Sequence, residues 1–170
     1  MRKMPRKISL LFNLVFLIIL SIPTYAQVET SDQTIFLVRH AEKADDGTRD
    51  PDLTGIGKRR AEKLSVILKQ FDIQKIYSTD YKRTRQTAQP LASMLGLQVE
   101  LYDPRGQKIL ENLKKEKGSI LIVGHSNSTP TLTNAILGEK KYEKLDESVY
   151  TKLFILSRVN GSYGSAVSEF

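Results

Sequence analysis

The chain has two histidines, and each ends a short apolar run: Ile35-Phe36-Leu37-Val38-Arg39-His40 and Ile120-Leu121-Ile122-Val123-Gly124-His125. Imidazole is a competent nucleophile at phosphorus and titrates near neutrality, and the arginine fork beside His40 matches phosphate or carboxylate oxygens. A third segment, Tyr77-Ser78-Thr79-Asp80-Tyr81-Lys82-Arg83-Thr84-Arg85, adds cations just past a Ser/Thr/Asp turn. On a helix Arg83 and Arg85 point about 200° apart, so at most one of them faces a site at the strand end. A cation that close to a helix N-terminus opposes the macrodipole, which makes sense if it binds an anion. Around the second histidine, Gly124 allows close backbone approach, and Ser126-Asn127-Ser128 supplies hydroxyls and amides. Two arginines and two histidines in one pocket would cradle a tetrahedral dianion and favour phosphoryl transfer by positioning and charge stabilisation.

Composition narrows the alternatives. There is no cysteine, which removes thiol catalysis and thiolate metal sites. Two histidines with no third ligand at a recognisable spacing do not make a metal centre, so we expect neither a metal nor a cofactor. Residues 1–26 read as a secretory signal peptide. Arg2, Lys3, Arg6 and Lys7 are basic, Ile8 to Ile22 is apolar, and Thr24-Tyr25-Ala26 offers a small-residue cleavage site. The apolar stretch is short for a membrane span, and no cysteine is present for lipid attachment. We therefore expect a periplasmic or secreted protein with no stable membrane span after cleavage, an uncleaved anchor being the alternative. The full chain has 26 basic and 19 acidic residues, a net of +7. Without the four basic residues of the leader, 22 stand against 19, too small an excess for a nucleic-acid partner.

Residues 27–170 are expected to form one domain, and the elements that must position the site follow in order. Strands are expected over Thr34–Val38, Ile73–Tyr77, Gln98–Leu101, Ser119–Val123, Val149–Ser157 and Ser162–Ser168. Thr54 can cap a helix to about Phe71, and Thr79 or Asp80 one that ends at Gly96, with Pro90 kinking or splitting it. Further helices are expected over Gln107–Lys117 and Thr129–Leu137. Asn160-Gly161 is a type I′ hairpin signal. Strands alternating with helices and then a hairpin indicate a three-layer α/β/α fold with a mostly parallel central sheet. Ligands of such sheets bind at the carboxyl ends of the strands, where both histidines would lie.

These residues resemble a known family. Leu37-Val38-Arg39-His40-Ala41-Glu42, Leu53-Thr54-Gly55-Ile56-Gly57, Tyr77-Ser78-Thr79-Asp80 through Arg83 to Thr87-Ala88, and Val123-Gly124-His125-Ser126 are similar to motifs of the histidine phosphatase (phosphoglycerate mutase-like) superfamily. The resemblance covers nearly all of residues 27–170 and points to the short, cap-less type. It implies that fold, a phosphohistidine intermediate on His40, and phosphate binding by Arg39, Arg83 and a charged His125. The family often has glycine where Ala41 stands, and its leaving-group acid usually lies in a stretch that is short here. Asp103 is the best-placed candidate, with Glu42 second.

The expected activity is metal-independent hydrolysis of a small phosphorylated substrate, such as an envelope sugar phosphate or a phosphoprotein. A phosphate-ester binding module with weak turnover, or a phosphohistidine phosphatase, remains the alternative. A mutase is disfavoured by the lack of insertions that would exclude water. Specificity is expected from the loops Glu42–Asp52 and Gly138–Glu147. Nothing in the sequence sets the oligomeric state.

Overall fold

The computed structural model describes residues 31–170, and the targeting segment read over residues 1–26 lies outside the described residues. Six strands form one sheet: β1 (Gln33–Arg39), β2 (Ile73–Ser78), β3 (Val99–Leu101), β4 (Gly118–Gly124), β5 (Lys152–Val159) and β6 (Ser162–Glu169). Their spatial order is β3-β2-β4-β1-β5-β6. The first four are mutually parallel, and the β5–β6 hairpin adds two antiparallel strands at one edge. Four α-helices connect them: α1 (Gly55–Leu68), α2 (Lys82–Leu95), α3 (Lys108–Lys115) and α4 (Ser128–Leu137).

The central runs are apolar at every position because both faces of β1 and β4 are covered. Phe36, Val38, Leu121 and Val123 pack with Leu64 and Leu68 of α1 and Ala88 and Leu91 of α2. Ile35, Leu37, Ile120 and Ile122 turn the other way, onto Ile109 and Leu113 of α3 and Leu132 of α4. The result is the expected three-layer α/β/α arrangement with a mostly parallel sheet. The hairpin turn also forms as expected, with positive φ at both Asn160 (52°) and Gly161 (80°), the requirement of a type I′ turn.

Several local expectations are corrected. The Thr54 hydroxyl does cap α1, accepting from Gly57 N–H at 3.0 Å, but the α-helix ends at Leu68 and residues Lys69–Phe71 tighten into a 3₁₀ turn. Neither Thr79 nor Asp80 caps α2. That helix starts after Tyr81, with Lys82 N–H satisfied by Asp50 Oδ1 at 2.8 Å, because the Thr79 hydroxyl is bonded to His125. Pro90 does not split α2, which runs on to Leu95. Its buried residues Thr87, Ala88, Leu91 and Ala92 flank the proline on both sides, so packing outweighs a helix penalty of about 3 kcal/mol. Strand β5 begins at Lys152 rather than Val149, because the Val149 carbonyl accepts from Arg39.

Gly57 shows how the loop after His40 is held. A Cβ there would lie 2.2 Å from the Glu42 carbonyl oxygen, an atom that also accepts from Thr54 N–H at 2.9 Å. Gly57→Ala must move one backbone against the other, and we expect a loss of about 1–3 kcal/mol, or several degrees in thermal midpoint. Gly55→Ala is the control, since its Cβ meets only the Arg59 Nη1 atom, at 3.7 Å. Equal midpoints for the two variants would refute this tight fit.

Candidate active site

The carboxyl ends of β1, β2 and β4 deliver His40, Thr79 and His125 to one place, as a parallel sheet dictates. Arg39 pairs with Gly124 across the β1–β4 ladder, and His40 N–H donates to the Gly124 carbonyl at 2.9 Å. The two imidazoles that follow meet with ring centroids 5.5 Å apart in a T-shaped pose.

The protonation of His40 follows from its contacts. Nδ1 lies 2.8 Å from the Ala41 carbonyl; a carbonyl only accepts, so Nδ1 carries the hydrogen and Nε2 presents its lone pair. Burial and the positive charges of Arg39 and Arg83 lower its pKa to about 3, so the ring is neutral at pH 7. His125 is shifted in the same direction: burial and the two guanidinium groups lower its pKa to about 4, whereas the charged ring expected from the sequence is one that holds phosphoryl oxygens. Its Nε2 lies 2.9 Å from the Thr79 hydroxyl, which is 3.1 Å from that of Thr84. The Thr84 hydroxyl in turn donates to backbone carbonyls of Thr79 and Tyr81. A relay running that way leaves Thr79 accepting from His125 Nε2–H.

The two arginines are held very differently. Arg39 is 3 % exposed. Its Nη1 donates to the carbonyls of Asp146, Glu147 and Val149 at 2.9–3.1 Å, and its Nη2 to Glu147 Oε2 at 2.5 Å. Its guanidinium also lies 4.2 Å above the Tyr150 ring. Arg83 reaches the site from α2, with Asp50 at 3.6 Å and the Tyr81 ring 4.2 Å from its guanidinium carbon. Arg85 points away and pairs with Asp80, as the helical angle required. Both Arg39 Nε and Arg83 Nε are buried with no hydrogen-bond partner among the described residues. A buried donor left unpaired costs free energy that an arriving oxyanion recovers.

A cleft of about 680 Å³ opens beside this cluster, lined by Tyr81, Arg83, Asp103, His125, Asn127 and Ser128 among others. Asp103 is therefore brought to the site, but as a carboxylate. Bonds from the Arg105 backbone N–H and side chain hold its pKa below the ordinary value. Glu42 is not free for acid chemistry. Burial pushes its carboxyl up, but the Arg60 fork at 2.6–3.0 Å outweighs this and holds it ionised. The loops expected to set specificity reach the site through its arginines, Asp50 of one lying 3.6 Å from Arg83 and Asp146 and Glu147 of the other bonding Arg39. The Gly138–Glu147 loop is spent on Arg39, and Asp52 at the end of the Glu42–Asp52 loop is tied to Gln86 of α2 at 2.7 Å.

Sequence reasoning missed Tyr81, Tyr150, Asp50 and Glu147. Each acts across the fold, and only Tyr81 carried a signal, as an aromatic residue two positions before a candidate anion-binding arginine. Among the described residues, no group of three or more His, Cys, Asp or Glu side chains is placed to hold a metal ion.

Comparison with known proteins places this geometry. Residues 35–105 match the model of the histidine phosphatase superfamily (branch 1). The chain is 36% identical over 77 residues to "Probable phosphoglycerate mutase GpmB" of Escherichia fergusonii, an alignment covering 42% of this chain and 35% of that protein. It thus spans about a third of the length of the curated relatives it matches. Among solved structures, YhfR of Bacillus stearothermophilus superposes with a TM-score of 0.64 at 17% identity, covering 80% of this chain and 96% of its own. A mycobacterial glucosyl-3-phosphoglycerate phosphatase, solved with VO3, superposes with a TM-score of 0.67 at 14% identity, covering 80% and 98%. A phosphoserine phosphatase of Entamoeba histolytica gives 0.62 at 18% identity, covering 79% and 95%.

Proposed function

We propose that the chain is a phosphatase of the histidine phosphatase superfamily, whose model matches residues 35–105, and that it hydrolyses phosphomonoesters through a phosphohistidine on His40. One observation carries this reading: two buried, unpartnered guanidinium Nε–H groups stand beside a neutral histidine whose Nε2 is free. The VO3 complex of the mycobacterial phosphatase, a protein of the same fold, is consistent with an oxyanion site.

His40 Nε2 attacks phosphorus in line. The N–P bond forms as the P–O bond breaks, and the electron pair leaves on the substrate oxygen, which is protonated by Asp103 or water. Arg39, Arg83 and His125 hold the equatorial oxygens, and the positive charge comes from side chains, so the reaction is metal-independent. The arriving dianion raises the pKa of His125, which is charged in the complex, and raises that of Asp103 by like-charge repulsion. Water then attacks phosphorus and loses its proton to the Asp103 carboxylate or to solvent. The N–P pair returns to Nε2 and phosphate departs. The basic and apolar pattern of residues 1–26 supports an exported location for this activity.

The test is turnover of an aryl phosphate with and without a chelator, together with capture of an acid-labile, alkali-stable phosphoenzyme. Loss of activity on chelation overturns the metal-free mechanism. The ionised state of Asp103 favours one other reading, a binding module, and tight vanadate binding without turnover would establish it.

A pH dependence follows. His40 stays neutral until about pH 3, whereas Asp103 is a proton donor only in acid. Hydrolysis of an alkyl phosphate is expected to rise as pH falls from 7 towards 4. Asp103→Asn should remove that rise and cost roughly 10²–10⁴-fold on the alkyl ester, with little effect on an aryl one. An unchanged alkyl profile would make water the proton source. Stability runs the other way. Both histidines bind protons more weakly folded than at their ordinary value of 6.5, so stability is lost as pH falls from there towards 4.

A further inference from the structure

We propose that Tyr81 is a positioning residue of the anion cradle, its ring setting the guanidinium plane of Arg83 and the imidazole of His125 against the phosphoryl group. This inference rests on the phosphatase reading and adds to it a residue outside the catalytic set.

The need for such a residue comes from the contrast between the two arginines. Arg39 is anchored by four hydrogen bonds. The Arg83 side chain makes no hydrogen bond among the described residues. Its contacts are Asp50 at 3.6 Å, whose Oδ1 already accepts from Lys82 N–H, and the face of Tyr81 at 4.2 Å. A free arginine side chain samples many rotamers, and stopping it before substrate arrives needs a partner that does not compete for its donors. A ring face is such a partner, because the cation–π attraction leaves every N–H of the fork available.

The same ring meets His125 edge to face, with centroids 5.0 Å apart and planes at 89°. Tyr81 is 41% exposed, and its backbone is held by hydrogen bonds. Its N–H donates to the Thr79 carbonyl at 2.9 Å, and its carbonyl accepts from Thr84 Oγ1 at 2.9 Å and Arg85 N–H at 3.0 Å. One turn of backbone thereby carries the Thr79 hydroxyl on His125 Nε2, the ring beside His125, and the ring under Arg83. The Tyr81 hydroxyl makes no hydrogen bond among the described residues, so the ring face and not the phenol performs the task. Tyr150 stacks on Arg39 at the same 4.2 Å, but there four hydrogen bonds make the stacking redundant.

The test is calorimetric titration of inorganic phosphate, which has no leaving group and so isolates the cradle from the rest of the cleft. Tyr81→Phe is expected to bind as the unaltered chain does. Tyr81→Leu should bind about 5- to 30-fold more weakly. Phenylalanines carrying successively more fluorine at position 81 keep the shape and withdraw π density, so affinity should fall stepwise along the series. That series decides the matter if Tyr81→Leu does not fold, since a purely structural role would leave it flat. A flat series, or full affinity in a folded Tyr81→Leu, overturns the role of Tyr81. If the unaltered chain binds and hydrolyses, the phosphatase reading survives that result; if it binds no phosphate, both fall.

Discussion

His40→Ala is expected to lower aryl phosphate turnover on the order of 10⁴-fold or more while leaving inorganic phosphate binding largely intact. The substitution removes the only protein atom assigned to form a bond to phosphorus, and losses of nucleophiles in covalent mechanisms are of this order. The binding donors survive, because Arg39 is held by the 146–149 carbonyls and Arg83 by Asp50 and the Tyr81 ring, not by His40. The acid-labile phosphoenzyme should disappear with turnover. His125→Ala should be milder, since that ring contributes charge and not a bond. The decisive comparison is kcat beside phosphate affinity in one preparation. Near-normal turnover by His40→Ala would place the nucleophile elsewhere, and parallel loss of binding and turnover would make His40 a ligand instead.

Arg39→Ala is expected to damage activity and stability together. Loss of one preorganised donor to the transferring group costs roughly 10²–10³-fold in kcat. Stability falls as well, because the carbonyls of Asp146, Glu147 and Val149 lose their common donor. Water reaching this partly open loop recovers part of that, leaving a loss of about 1–3 kcal/mol. The Glu147 ion pair adds little, since that carboxylate is 64% exposed. Arg39→Lys separates the two effects. An ammonium keeps the charge but cannot span three carbonyls and a phosphoryl oxygen at once, so stability should recover more than kcat does. Thermal midpoints and kcat for the two variants check this, and wild-type turnover in Arg39→Ala would remove the residue from the site. Arg83→Ala, whose side chain bonds no carbonyl, should lose activity with a far smaller change in midpoint.

Those two arginines also show how much of the site was legible in the chain. Arg39 and Arg83 are legible because strand-end and helix-start positions are set by local periodicity, and a parallel sheet brings such positions to one edge. The histidines were legible for the same reason. Charge states were not, because His125 is neutral through burial and through guanidinium groups far off in the chain. Glu42 is disqualified as an acid by Arg60, on the following helix. Asp103 lies beside the cleft, yet its ionisation depends on how Arg105 folds back in the turn. Tyr150 carried no pattern that distinguishes a stacking ring from a packed or exposed one, and Tyr81 only its place two positions before Arg83.

By itself, the order of residues determined the elements and some of their ends. The four-to-six residue apolar runs, the Thr54 cap, the glycine ends of α2 and α4, and the Asn160-Gly161 turn all act over a few residues. Such short-range preferences can be read without knowing what lies across the fold. The tertiary structure alone decided which arginine is clamped and which is shelved on a ring, which carboxylates are free, and which protonation each histidine keeps. Those outcomes depend on burial and on contacts spanning tens to more than a hundred positions, where desolvation and a single neighbouring charge outweigh any local preference.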